Sequence, residues 1–198
     1  MQRPPLSLDG VDVTSDSAEV KVEEEDHGVF YAGEDYAGIL TRLFVLAVDG
    51  TVLALLACAV ILASTSVLEY SVDNFFLALL VTVIVWYVYM AVLKITPVGT
   101  LGYALAGVKL VDLRGRRASV LRSSIRFGFI FFGPLNALGD VIWLGGERDS
   151  QSFRDKFAGT YVVKKHASPA GEGPIETERV FLSGYSFIFR KVQRAQDF

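Results

Sequence analysis

The residue best placed to do chemistry is Asp49, a carboxylate inside a long apolar run. Residues 43–63 read LFVLAVDGTVLALLACAVILA, with Asp49 as the single charged side chain. Such a charge costs about 2.5–3.5 kcal/mol at a bilayer centre, so it normally faces a helix bundle or a wet cavity. We expect Asp49 to be a ligand for a monovalent cation or a proton. The alternative is that it joins helices by hydrogen bonds to Ser, Thr or Tyr of neighbouring spans.

Arg42 lies seven positions before Asp49. Seven residues turn a helix through about 700°, so both side chains share nearly one face. The arginine would lie at the membrane rim, about 10 Å above the acid. That separation is too long for direct pairing, and it predicts that a water or an ion lies between them.

A second acidic position, Asp140, follows Asn136 by one helical turn in PLNALGDVIW. Pro134 and Gly139 predict a broken backbone, which is tolerated at membrane depth where it is buried in protein or lines a water-filled cavity. Broken segments of this kind build transporter ion sites. The other interpretation is that Asp140, three residues before Trp143, is simply hydrated near the interface.

Signatures of catalysis are missing from the sequence. It contains no His-Glu-x-x-His, Cys-x-x-Cys or Gly-x-Ser-x-Gly motif, and its one cysteine is Cys58. We therefore expect a non-catalytic protein without a cofactor or a metal site. We also expect no nucleic-acid partner.

The composition indicates an integral membrane protein. The chain is 52% hydrophobic with a mean hydropathy of +0.40, and three apolar segments approach the ~20 residues that a bilayer core requires. We expect an all-α membrane protein with two transmembrane helices, residues 43–63 and 75–93. A third, Pro-broken segment, residues 127–144, either spans or re-enters. A small cytoplasmic β-hairpin is expected around Gly115, in VKLVDLRGRRASV.

Charge predicts the topology. Residues 1–35 carry ten acids and two bases and have the composition of a solvated acidic tail. Residues 94–126 hold seven bases against one acid, Asp112. Because short basic loops stay in the cytoplasm, we place the N-terminus and this loop inside, in a multi-pass protein of the cytoplasmic membrane. The candidates for binding anionic lipid or a partner are Arg114, Arg116, Arg117, Arg122 and Arg126.

The third apolar segment does not decide on which side of the membrane the C-terminal region lies. A single crossing puts it outside, whereas a re-entrant hairpin puts it inside. Residues 147–165 carry five bases against three acids, as cytoplasmic segments do. Residues 104–112 (ALAGVKLVD) also resemble residues 156–164 (KFAGTYVVK), and two such strands could pair only on one side of the membrane. Both observations favour the hairpin.

Residues 166–198 begin as a linker by composition and end in an aromatic and basic tail. This tail either lies at the lipid interface or docks as a strand on a partner or on the small sheet.

Three ordered motifs resemble the RDD family of bacterial and archaeal membrane proteins. They are YAGILTRLFVLAVDG (36–50), VGTLGYALAGVKLVDLRGRRAS (98–119) and RDKFAGTYVV (154–163), within a membrane domain of residues 36–165. The family is named for an arginine and two aspartates. Arg42 resembles the family arginine and Asp49 the first aspartate. Either Asp140 or Asp155 resembles the second aspartate. Tyr103 departs from the pattern, because many relatives have a lysine there.

The resemblance implies a transport-related role for a small ligand, which in some members is exchange of a monovalent cation for protons. So small a chain would enclose a pathway poorly, so we expect a homo-oligomer. The alternative from another class is a non-catalytic accessory or assembly subunit of a larger membrane complex.

Overall fold

Two long apolar helices dominate the computed structural model, which describes residues 26–67, 71–132, 151–182 and 185–194. Helix α1 is Ile39–Val67 and helix α2 is Val72–Tyr87. The Ser71 hydroxyl caps α2 by accepting a hydrogen bond from the Asn74 amide. The second span continues through a π-helix, Val88–Val92, and a 3-10 helix, Leu93–Ile95.

Both helices have the length and composition of membrane spans. The candidates are Ile39–Ser66 and Val72–Ile95, and only 17% and 11% of their most apolar windows are buried within the chain. A core helix of a soluble protein would be mostly buried, whereas these helices turn most of their apolar side chains outward. The two expected spans are therefore present as candidates, each a few residues longer than expected.

A second layer of short elements covers one end of the spans. Helix α3 is Leu101–Ala106, followed by strand β2, Val108–Asp112. Helix α4 is Val120–Gly128, followed by a 3-10 helix, Phe129–Phe132. Helix α5 is Phe153–Ala158, followed by strand β3, Thr160–Lys164.

Two of these short helices are built alike. Helices α3 and α5 each end at a left-handed glycine, Gly107 at φ +63° and Gly159 at φ +60°, and each leads directly into a strand. Glycine adopts this conformation without the steric cost of a Cβ. The strands β2 and β3 pair antiparallel, from Val108 opposite Lys164 to Asp112 opposite Thr160. The pairing expected from the two similar sequences is therefore present.

The hairpin expected around Gly115 is not confirmed as a pair of strands. The chain turns there, with Gly115 at φ +74°, and the return makes one isolated bridge, Val111 with Arg117. The main partner of β2 is β3, about fifty residues later.

A second sheet shows that the expectation of an all-α protein was too simple. It contains β1, His27–Phe30, β4, Gly171–Leu182, and β5, Tyr185–Val192, in the order β1-β4-β5. The end of the expected acidic tail and part of the expected linker therefore form strands. The last strand, β5, pairs with β4 in this second sheet and not with β2 or β3.

Aromatic side chains join these layers. Tyr31, Tyr36 and Tyr161 are buried and contact one another edge to face, with ring centroids 5.5–6.4 Å apart. On α5, Phe157 packs 5.1 Å from Phe189 of β5. This packing fixes α5, and with it the charged side chains described below.

The residues on either side of 133–150 lie close together. Phe129 packs 6.1 Å from Phe153 and 5.4 Å from Phe157. Residues 133–150 themselves, which include most of the third apolar segment, lie outside the described residues.

Candidate functional site

Two arginines share one buried aspartate at the end of the spans. Arg42 of α1 donates from Nη1 to Oδ2 of Asp155, 2.6 Å away. Arg126 of α4 forms an ion pair with the other carboxylate oxygen. Asp155 is fully buried and both arginine side chains are nearly so. One carboxylate thus joins α1, α4 and α5, and two guanidinium groups surround it.

Local sequence explains how Asp155 is held. Ser152 and Asp155 form a capping box at the start of α5, in which each side chain accepts a hydrogen bond from the other's backbone amide. Such reciprocal bonds satisfy two donors that a helix start leaves unpaired. The carboxylate is therefore oriented by its own helix as well as by the two arginines.

Asp49 is buried, 2% exposed, as the sequence predicted, but its partners are protein groups. Oδ2 accepts from the Thr100 hydroxyl at 2.8 Å. Oδ1 accepts from the Tyr89 hydroxyl at 2.9 Å and from the Gly102 amide at 2.8 Å. A carboxylate has about four acceptor positions, so three are used. This geometry is that of the alternative interpretation, in which Asp49 joins helices by hydrogen bonds, here the two spans and the segment that follows the second span.

The π-helix sets the position of Tyr89. Its hydroxyl donates to Asp49 and also accepts from the Leu101 amide at 3.0 Å. One extra residue in a helical turn rotates the side chains that follow it, and such insertions are frequent at functional sites. Here the wider turn links the second span to the start of α3.

The backbone of α3 approaches Asp49 closely at Gly102. A Cβ there would lie 2.7 Å from Asp49 Oδ1 and 2.8 Å from the Val45 carbonyl oxygen. Such distances are too short for a real Cβ, so glycine is needed for the contact between α1 and α3.

A cavity of about 190 Å³ lies between the spans and the short elements, and we call it the rim cavity. Its apolar wall comes mainly from α1, including Leu43 and Leu46, and from Met90 and Phe127. Both Arg42 and Asp49 line it, which agrees with their expected common helical face. The charged side chains that line it within the described part of the chain are Arg42, Asp49, Lys94, Arg126 and Arg154.

Lys94 lies at the C-terminal end of the second span and is 8% exposed. Its ammonium is 4.7 Å from the centroid of the Tyr103 ring, which gives it a cation–π contact. Tyr103, the residue that departs from the family pattern, is itself buried and completes this wall. The charges of Arg126, Arg154, Asp49 and Arg42 all act on Lys94.

The candidate arginines of the basic loop have different environments. Arg114, Arg116 and Arg117 are exposed, and Arg114 binds Asp26 at 2.7 Å. Two members of the set contact protein groups. Arg122 donates to the Gly159 carbonyl and Arg126 to the Thr160 hydroxyl. Binding of lipid or a partner by this set stays a prediction.

The remaining candidates, Asn136 and Asp140, lie outside the described residues. Sequence reasoning did not identify Lys94, Tyr89 or Thr100 as site residues. A lysine at the end of an otherwise uncharged span was the available signal for Lys94. Within the ranges described, no group of three or more His, Cys, Asp or Glu side chains could hold a metal ion.

Comparison with known proteins agrees with this geometry. A family model described as the RDD family matches residues 36–159. This range contains α1, the second span and the Arg42, Asp49 and Asp155 positions. No curated protein and no solved structure matches the chain. The protein is therefore a member of the RDD family of membrane proteins, with two candidate membrane spans.

Proposed function

We propose that this protein has a transport-related role in the cytoplasmic membrane and binds a small ligand in the rim cavity. The observation that carries the proposal is the make-up of that cavity. Its walls combine α1 of the membrane region with Arg126, Arg154 and Val162 of the covering layer. Concave sites with an apolar lining and a few polar groups are the usual form of small-ligand sites.

The proposed topology places the N-terminus and the covering layer in the cytoplasm. Strands β2 and β3 pair, so residues after 150 lie on the same side as the basic loop of residues 94–126. Basic loops favour the cytoplasm. On this topology the rim cavity lies at the cytoplasmic end of the spans.

Helix α4 supports a position beside lipid. Its polar residues Ser123 and Arg126 are buried, whereas Leu121 and Ile125 are 72% and 39% exposed. A helix on a soluble protein has the opposite arrangement. The Ser124 hydroxyl also lies 2.9 Å from the Tyr87 hydroxyl, about 12 Å inside the end of the second span at 1.5 Å per residue.

The geometry supports a small ligand better than a sodium ion or a proton at Asp49. Three protein donors already occupy that carboxylate, and four positive side chains line the same cavity. A cation would have to displace those donors and approach like charges, both of which are unfavourable in a site of low dielectric.

Cysteine labelling tests the cavity. In a Cys58→Ser background, Gly50→Cys puts a thiol on the cavity wall, where an added Cβ meets no atom within 4 Å. Leu55→Cys on the same helix is the matched control, 65% exposed on the apolar surface. A membrane-impermeant maleimide should label position 50 from the cytoplasmic side of inverted vesicles and leave position 55 unlabelled. Labelling of neither position, or of position 50 from the outside alone, would overturn the proposal.

Flux measurements test the ligand. We expect no sodium-driven proton flux in proteoliposomes. A flux that Asp49→Asn abolishes would restore Asp49 as a cation ligand and contradict the small-ligand form of the proposal.

A second candidate is an accessory subunit of a larger complex, favoured by strand β5. Among the described strands, β5 pairs only with β4, and Ile188 on it is 62% exposed. A sheet edge of this kind can accept a strand from another chain. The native mass of the complex solubilised in mild detergent separates the candidates. A stable mass that includes other polypeptides supports the subunit role, and a homo-oligomer or monomer argues against it.

A further inference from the structure

We propose that the rim cavity is a binding site for a phosphate group, with Lys94 as its central ligand. The inference rests on the proposed function, because it assigns a ligand class to the cavity described there. The phosphate belongs either to a free phosphorylated anion or to the headgroup of a phospholipid, since both present the same charged oxygens.

The first argument is the state of Lys94. Its side chain is more than nine-tenths buried and lines the cavity. Among the residues that the structure describes, its ammonium has no hydrogen-bond or ion-pair partner, and its one recorded contact is with the face of the Tyr103 ring. A buried ammonium has three donors to satisfy, and burying a charge without a partner is costly. An anion in the cavity would supply the missing acceptors.

The second argument is charge. Among the described lining residues, the positive side chains Arg42, Lys94, Arg126 and Arg154 outnumber the carboxylate Asp49. Asp155, behind the wall, pairs with Arg42 and Arg126. The described lining is therefore mostly basic, as a site for the negative charges of a phosphate group requires.

The third argument is the chemistry of the basic side chains and the size of the cavity between them. Guanidinium groups bind phosphate through two parallel hydrogen bonds, and lysine binds it as a point charge. The cavity of about 190 Å³ is large enough for the five heavy atoms of a phosphate group.

The apolar wall is relevant to the source of the phosphate. Leu43, Leu46 and Ile130 line the cavity opposite the bases, and the outer surface of α1 beside them is exposed, as at Phe44, which is 47% exposed. A phospholipid could place its phosphate among the bases and its chains along this surface. A free phosphorylated anion would use only the charged part.

The test uses the full chain purified in detergent. Its thermal unfolding midpoint is followed by tryptophan fluorescence while sodium phosphate replaces sodium chloride at constant ionic strength. Native mass spectrometry of the same preparation reports retained phospholipid. Lys94→Met removes the charge with little change in length. Lys165→Met is the matched control, an exposed lysine outside the cavity.

A rise of several degrees in the unfolding midpoint with phosphate, lost in Lys94→Met and kept in Lys165→Met, shows that the ligand is a free phosphorylated anion. Retention of an anionic phospholipid that Lys94→Met loses, without that rise, assigns a headgroup. Lys94→Met should itself melt no lower than the wild type without phosphate, because it removes an unpaired buried charge. If the Lys94→Met protein does not fold, Lys94→Gln is used in its place.

The proposal is overturned if neither response occurs, or if both persist in Lys94→Met. In that case, maleimide labelling at position 50 from the cytoplasmic side would still support an accessible rim cavity. The cavity would then remain a ligand site of another chemistry, so the two proposals fail separately.

Discussion

Arg42 and Asp155, 113 positions apart, form a buried ion pair of 2.6 Å that joins the first span to the last motif of the family region. Arg42 also donates from Nε to the Ala37 carbonyl at 2.9 Å. The arginine is thus held by its own segment and by α5. Asp155, one of the two candidates for the second family aspartate, meets the family arginine, and the other candidate, Asp140, lies outside the described residues.

Removing Asp155 should be strongly destabilising. Asp155→Asn would remove the buried carboxylate charge that Arg42 and Arg126 share, and breaking a buried pair in this way costs about 3–5 kcal/mol. The measurement is the denaturant midpoint of the purified protein. Glu34→Gln, at an exposed acid, is the control and should change the midpoint little. An Asp155→Asn protein as stable as the wild type would show that the pair does not hold α1 to α5.

Replacing Asp49 should weaken the link between the spans and α3. Asp49→Asn keeps the shape but puts an amide donor against groups that already donate, Thr100, Tyr89 and Gly102. Leaving such groups unsatisfied costs about 1–3 kcal/mol. Unfolding midpoints and hydrogen exchange at the Gly102 amide measure the change. Unaltered protection of that amide would contradict the role of Asp49 as a helix-joining acceptor.

A methyl group at Gly102 should be poorly tolerated. In Gly102→Ala the new Cβ would lie 2.7 Å from Asp49 Oδ1 and 2.8 Å from the Val45 carbonyl, and overpacking of this kind costs about 1–3 kcal/mol. Gly128→Ala is the matched control in α4, where an added Cβ meets nothing within 4 Å. It should be neutral or stabilising by up to about 1 kcal/mol. Equal effects of the two changes would show that α1 and α3 are not in close contact.

Acid should loosen β1. The hydrogen bond from Arg114 lowers the pKa of Asp26 below its ordinary 3.8, helped by Arg190 and opposed by partial desolvation. Because the folded pKa is depressed, the contribution of Asp26 is present above 3.8 and is lost as the pH falls through the folded pKa. Hydrogen exchange at the Val29 amide, which donates to the Leu113 carbonyl at 2.8 Å, should accelerate over that range.

Asp26→Asn should make that exchange faster at neutral pH and remove most of its acid dependence. If the variant shows the same acid dependence as the wild type, another group controls β1.

The outer face of α4 should contact lipid. A spin label at Leu121→Cys, in a Cys58→Ser background, should be accessible to oxygen and protected from a polar nickel reagent. The same label at Lys165→Cys, an exposed position of the covering layer, should show the reverse order. If both labels prefer the nickel reagent, α4 lies in water and the proposed membrane position is wrong.

Sequence alone gave a good account of the membrane region. The two spans could be predicted because about twenty apolar residues are needed to cross a bilayer, and few other structures require such a run. The burial of Asp49 followed from the same argument, since an isolated charge cannot face lipid. The pairing of β2 with β3 was predicted from two similar segments, and it is present.

Other features depended on contacts between distant segments. Sequence spacing placed Arg42 and Asp49 on one helical face and predicted a water or an ion between them, whereas folding brought Asp155 to Arg42 and three donors to Asp49. The pairing partners of β1 and β4 could not be inferred from composition, because an acidic segment and a linker become strands only when another strand lies beside them.

The sequence by itself determined that this chain has apolar helices long enough to cross a membrane and an acid that has to be buried among them. The tertiary structure alone decided which groups meet that acid, that Asp155 meets Arg42, and that four bases lie around one cavity. The physical reason is the distance along the sequence over which each feature is determined. Hydrophobicity is a property of each segment, whereas an ion pair across 113 positions exists only after packing has brought its two halves together.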